Sequence, residues 1–252
     1  MKKKTKRFRQ RFLIIGAVTK LGGDVAQALL QQKLDVSIIS TKKPSWITSS
    51  KKQILLLTVK NYRSLPSVLK RFMSRSQHLT ILYFLSTGGK TGLTKIIDQV
   101  IDPVVKALSL QGKASINSIF ISSQLSHLVG FEKNLAYHME KAALETAFKF
   151  FAIRDVRPAR LYNVIRLSHV KTEANKKKYE PEKHGVQMLK NVKRKDIEVT
   201  DLKALIETII FLSSSDLLNG LVIDLDQGAR YISSVSENSG YTDTNEPLWF
   251  LK

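Results

Sequence analysis

Short apolar runs closed by glycine or a polar pair recur along the 252-residue chain, separated by stretches whose apolar residues return every three or four positions. Phe12–Gly16 is four apolar residues ending in glycine, the pattern of a strand covered on both faces. Val25, Leu29, Leu30 and Leu34 follow at helical spacing. Val36–Ser40 and Ile54–Thr58 predict a second and a third strand, Leu65–Met73 a helix, and Leu79–Leu85 a fourth strand. Lys95–Leu110 is predicted helical in spite of Pro103, and Ser118–Ser122 a fifth strand. A long helix over Ala136–Phe151, a strand over Leu161–Leu167, a helix over Asp201–Leu212 and a last strand over Leu221–Leu225 complete the pattern. Strands alternating with helices predict a doubly wound α/β architecture, a seven-stranded parallel sheet with helices on both faces. No internal repeat or composition shift divides the chain. The expected organisation is a basic N-terminal tail (1–11), one domain (12–230) and a C-terminal tail (231–252).

Composition narrows the classes without choosing a function. With 43% hydrophobic and 25% charged residues, the chain is neither disordered nor a multi-span membrane protein. It has no cysteine, which removes disulfides, thiolate metal sites and cysteine nucleophiles. No apolar run approaches the roughly 20 residues of a membrane helix. The basic residues before Phe12–Val18 imitate a secretory leader, but the run is short, contains Gly16 and meets Lys20 with no small-residue cleavage site. A soluble, cytoplasmic protein is expected, with no metal.

The segment Ile15–Gly23 sits where the first strand hands over to the first helix and holds Gly16, Gly22 and Gly23. Glycine there permits positive φ and close approach of backbone to a phosphate, and the helix N-terminus offers N–H donors. A plain strand-to-helix turn has the same look, and the spacing is not that of G-x-G-x-x-G. The end of the second strand bears on which dinucleotide such a turn would hold. A carboxylate at that point suits the ribose hydroxyls of NAD, whereas cations and hydroxyls suit the extra phosphate of NADP. Here stand Ser40, Thr41, Lys42 and Lys43, with no acid, and Lys20 adds a cation within the turn. NADPH is expected over NADH.

Tyr137 and Lys141 are four apart and so share a helix face. An ammonium beside a phenol stabilises the phenolate, and such a tyrosine can serve as a general acid or base. The pair occurs on many solvated helices and alone decides nothing. With Ser122 and Ser123 closing the strand upstream, Lys141–Glu145 extending the motif and the glycine turn opening the domain, the chain resembles the short-chain dehydrogenases/reductases from Phe12 to Arg230. Gly16–Gly22 matches that family's glycine-rich turn, with Lys20 at its usual middle glycine. Asn219–Gly228 resembles its closing strand. The resemblance implies a Rossmann fold and reduction of a carbonyl to an alcohol by hydride transfer from NADPH. Ser123 would bind the carbonyl, Tyr137 would donate the proton, and Lys141 would hold the nicotinamide ribose and lower the pKa of Tyr137. Counting does not separate Ser123 from Ser122. The cofactor would be met by Gly16, Thr19, Lys20, Leu21, Gly22, Ser40, Thr41, Lys42, Thr58, Ser86, Tyr137, Lys141, Val170 and Thr172.

The chain also departs from the family. Phe84–Gly88 replaces the Asn-Asn-Ala-Gly that ends the fourth strand, and Thr58 stands for the aspartate that ends the third. Leu167 and Ser168 replace a Pro-Gly pair, and no asparagine in 95–110 completes the proton relay. A second reading therefore stands beside the reductase, a catalytically weak relative acting as a binding or assembly partner for an acidic protein or nucleic acid. Charge bears on both. Forty-one Lys and Arg against 21 Asp and Glu give a net +20. Two segments hold 13 of the 20, residues 1–11 and 171–195. The resemblance makes 171–196 the lid over the substrate, so a basic lid implies an anionic or carrier-bound carbonyl substrate. The alternative is a solvated lysine-rich loop. Nucleic acid is not favoured, because no aromatic-interleaved basic strand or recognition helix is present. The family's habit of pairing subunits implies a homo-oligomer, a dimer or tetramer.

Overall fold

The structure is a computed structural model that describes residues 10–40, 42–47, 55–58, 78–85, 96–109, 115–127, 135–155, 160–168, 170–171 and 200–226. The predicted helix Leu65–Met73, nearly all of the predicted lid, and residues 1–9 and 227–252 lie outside them.

Seven strands form one parallel sheet: β1 (Arg11–Ile15), β2 (Asp35–Ser40), β3 (Leu55–Thr58), β4 (His78–Tyr83), β5 (Ser115–Ser123), β6 (Arg160–Leu167) and β9 (Val222–Leu225). Their spatial order is β3-β2-β1-β4-β5-β6-β9, the doubly wound arrangement whose direction reverses between β1 and β4. The alternation of side chains explains why each strand reads as a continuous apolar run. Phe12, Ile14, Val36, Ile38, Leu82, Ile119, Ile121 and Ile165 face α1 (Lys20–Gln31) and α4 (Leu202–Ser214). Leu13, Ile15, Ile81, Tyr83, Phe120, Tyr162 and Val164 face α2 (Asp102–Ser109) and α3 (Leu135–Arg154). Phe12, Leu13, Ile14 and Ile15 of β1 are fully buried, so both faces of that strand are covered beyond Arg11.

Three differences from the sequence reading matter. Arg11, counted with the basic tail, opens β1 and pairs with Asp35 at 3.0 Å. The region around Pro103 is helical in two parts, a π-helical turn over Ile97–Ile101 running into α2. The Asp102 N–H reaches the Ile97 carbonyl, and Pro103, which has no N–H to give, enters in the first turn of α2 where none is needed. A small parallel ladder was not foreseen. β7 (Val170–Lys171) pairs with β8 (Thr200–Asp201), and Thr200 Oγ1 donates to the Leu225 carbonyl at 2.8 Å.

Candidate active site

The first half of the site is the turn between β1 and α1. Gly16 has φ +91°, and a Cβ there would lie 2.2 Å from the Phe84 carbonyl oxygen, so only glycine fits between the ends of β1 and β4. Thr19 caps α1. Its hydroxyl accepts from the Gly22 N–H at 3.1 Å and donates to the Gly16 carbonyl at 2.8 Å, closing the turn on itself. A Cβ on Gly22 would come within 2.8 Å of both of those oxygens. The first turn of α1 carries no acid, and Lys20 is exposed. The result is a backbone cradle at a positive helix end, at the switch point of the sheet, which fits the pyrophosphate of a dinucleotide.

Residues 42–47, after β2, fold onto this turn. Trp46 Nε1 donates to the Ala17 carbonyl at 3.2 Å, and the indole occupies the space a Cβ on Gly23 would need. Ser40 is buried and its hydroxyl serves its own turn, donating to the Lys42 carbonyl and accepting from the Lys42 N–H. Lys42 is exposed beside it. Thr58 is the last residue of β3, and Val170 is buried in the core on the α1 and α4 side. Thr41, Ser86 and Thr172 lie outside the described residues.

The second half of the site joins the end of β5 to α3. Successive residues of a strand face opposite ways, and here that alternation separates the two serines. Ser122 is buried and donates to Glu145 Oε1, away from the strand end. Ser123 caps the turn that follows, accepting from the Leu125 N–H at 3.3 Å, and a side-chain hydrogen bond joins it to Tyr137. His138, beside Tyr137, brings Nδ1 to 2.8 Å from the Leu125 carbonyl and so ties the same turn to the helix.

Lys141 is 5% exposed. Its Nζ donates to the Leu85 carbonyl at 2.7 Å and lies 5.7 Å from the Tyr137 ring centroid and 5.1 Å from that of Phe120. Burial lowers its pKa to about 8, against the upward pull of Glu140 and Glu145. The expectation that Tyr137 would have a lowered pKa does not hold. Burial raises it and Glu140 adds to the rise, while only the bond with Ser123 acts the other way. The main reason is burial of the phenol, to which Glu140, buried within the same helical turn, adds a smaller push.

Ser123, Tyr137 and Lys141 are thus brought together at the carboxyl end of the sheet. Sequence reasoning missed Glu140, Arg166 and Trp46, and quoted Glu145 only as part of a motif. The four-residue step from Lys141 to Glu145 was the available signal for a charge on the buried face. Among the described residues no cluster of acids and histidines could hold a metal, and no helix is long and apolar enough to cross a membrane.

No protein-family model matches the chain, and no curated protein sequence does. Solved structures do. A short-chain dehydrogenase from Leptospira borgpetersenii, with bound NAD+, superposes with a TM-score of 0.65 at 14% identity, over 88% of this chain and 93% of that one. A gluconate 5-dehydrogenase from Burkholderia cenocepacia, in complex with NADP and tartrate, gives 0.66 at 16% identity, over 88% and 96%. An oxidoreductase of the short-chain dehydrogenase/reductase family from Burkholderia thailandensis gives 0.65 at 17%, over 87% and 92%. The fold of this chain is therefore that of the short-chain dehydrogenases and reductases, carried by a sequence far from those of the solved structures it matches.

Proposed function

We propose that the protein is an NADPH-dependent oxidoreductase that reduces a carbonyl to an alcohol, with Ser123, Tyr137 and Lys141 as the catalytic residues. The observation that carries this reading is the Ser123–Tyr137 hydrogen bond with Lys141 buried against the tyrosine ring, at the sheet end that also carries the glycine cradle. Gly16, Thr19, Lys20, Leu21 and Gly22 would hold the pyrophosphate, and Lys20, Thr41 and Lys42 the 2′-phosphate. The bound nicotinamide supplies the hydride. Ser123 donates a hydrogen bond to the substrate oxygen, and Tyr137 delivers its phenolic proton to that oxygen as the carbon is reduced. The raised pKa of Tyr137 keeps the proton in place at neutral pH, the state from which a reduction starts. Protonated Lys141 then favours the phenolate left behind.

The substrate class we infer is an anionic or carrier-bound carbonyl compound, on the ground of nine basic against three acidic residues in 171–195. A homo-oligomer is favoured by Leu135, Met139, Phe150 and Ile153, large apolar side chains left exposed along α3.

Titration with NADPH, followed by tryptophan fluorescence and melting temperature, tests the cofactor and separates the enzyme from a non-catalytic scaffold. Saturable binding with a rise in Tm is expected, and neither signal at millimolar NADPH would end the reductase reading. Lys42→Ala is expected to weaken NADPH more than NADH. Tyr137→Phe removes turnover and leaves NADPH affinity close to that of the wild type; retained turnover would assign the proton to another group.

A further inference from the structure

One rung of the sheet, immediately before the serine, is polar across three strands. The parallel register sets Ser122 beside Arg166 and Arg166 beside Asp224, with Ser123 beside Leu167 on the next rung. Glu145 descends from α3 onto this polar rung and is itself 3% exposed. Its Oε1 accepts from the Ser122 hydroxyl at 2.5 Å and from Arg166 Nε at 3.1 Å. Its Oε2 accepts from Arg166 Nε at 2.9 Å and from Nη2 at 2.8 Å, while Arg166 Nη1 lies 3.6 Å from Asp224 Oδ1. The guanidinium fork meets the carboxylate on two nitrogens, a geometry that fixes orientation as well as distance. Tyr137, Lys141 and Glu145 stand four apart on one helix face, so this contact is one turn below the lysine and two below the tyrosine.

We propose that Glu145 is a positioning residue, which ties the helix bearing Tyr137 to the strand bearing Ser123 through Ser122 and Arg166 and so sets the separation of the two catalytic hydroxyls. The inference rests on the reductase reading and adds to it a part for three residues that touch no substrate. Two anchors on neighbouring strands hold the helix against both sliding and rotation, which a single hydrophobic contact does not. Reacting groups tolerate little displacement: about 1 Å costs on the order of a hundredfold in rate.

The test compares Ser122→Ala, Ser122→Thr and Glu145→Gln with the wild type for melting temperature, NADPH affinity, kcat, KM and crystal structure. Ser122→Ala removes one hydroxyl and leaves the Arg166–Glu145 pair, so it keeps the fold even where Glu145→Gln does not. The expected result is NADPH affinity and KM as in the wild type, kcat lower on the order of tenfold, recovery in Ser122→Thr, and a lengthened Ser123–Tyr137 contact in the crystal. A core role alone would lower Tm and leave kcat of the folded protein unchanged. Full kcat in Ser122→Ala, with Tyr137→Phe inactive, overturns the inference while the reductase stands. If the wild type binds no NADPH, the reductase reading falls, and an unchanged Ser123–Tyr137 contact in the Ser122→Ala crystal removes the clamp as well.

Discussion

The residue with the most to lose from its surroundings is Lys141. Its pKa is about 8 in the folded chain against an ordinary 10.5, because burial disfavours the ammonium. Between those values the unfolded chain holds the proton and the folded chain does not, so stability rises with pH across the window. Below pH 8 the folded protein carries a buried charge at a cost on the order of 3 kcal/mol. Lys141→Met is therefore expected to raise Tm at pH 7, to abolish the rise in stability between pH 8 and 10.5 relative to the wild type, and to end turnover. A lower Tm at pH 7 would show that the Leu85 contact outweighs desolvation. Wild-type reduction should also decline as pH passes about 8 and Lys141 loses its proton. That Tyr137 and Lys141 share a helix face was legible from their spacing, but singling them out also took Ser122, Ser123 and the glycine turn. Glu140 was not, because only the fold turns that position inward.

At the scale of elements, α3 explains why a hydrophobic pattern finds helices more readily than it orients them. Its buried residues are Glu140, Lys141, Leu144, Glu145, Phe148 and Ala152, half of them charged, while Leu135, Met139, Phe150 and Ile153 point outward. The chemistry of the site has claimed the inner face. The strands were legible to within a residue or two at most ends, since a strand covered on both sides leaves an unmistakable apolar run. The ladder of β7 and β8 was not, because two residues are too few to carry a period. Among the described residues, the two glycines with positive φ differ in what they demand. Gly220, at φ +76°, has only the Ala152 Cβ at 3.7 Å near its missing side chain, whereas Gly16 faces the Phe84 carbonyl. Gly220→Ala should cost about 1–2 kcal/mol of backbone strain, roughly 2–8 °C in Tm. Gly16→Ala must also push β1 from β4, so a much larger loss of Tm is expected, together with loss of NADPH binding. Equal losses in the two variants would show that the close approach at Gly16 is not what demands glycine.

For the molecule as a whole, alternation of strand and helix was enough to reach the sheet and its two covered faces, and the observed order places the switch point at Gly16. What the chain does with its exposed α3 face was not readable from one strand-and-helix pattern. If that face meets a second copy, the wild type sediments as a dimer or tetramer, and Phe150→Glu with Ile153→Glu sediments as a monomer; identical sedimentation coefficients would place the contact elsewhere. The short ladder has its own meaning at this scale. Val170 with Thr200 and Lys171 with Asp201 hold the two ends of 172–199 side by side, and Thr200 is fastened to the end of β9. The ends of that segment are therefore closed whatever its length, and doubling a closed loop costs only about 0.6 kcal/mol. The chain between them is held at both ends as in a socket, where sequence can be lengthened, recharged or exchanged in evolution while the sheet that carries Ser123 stays untouched.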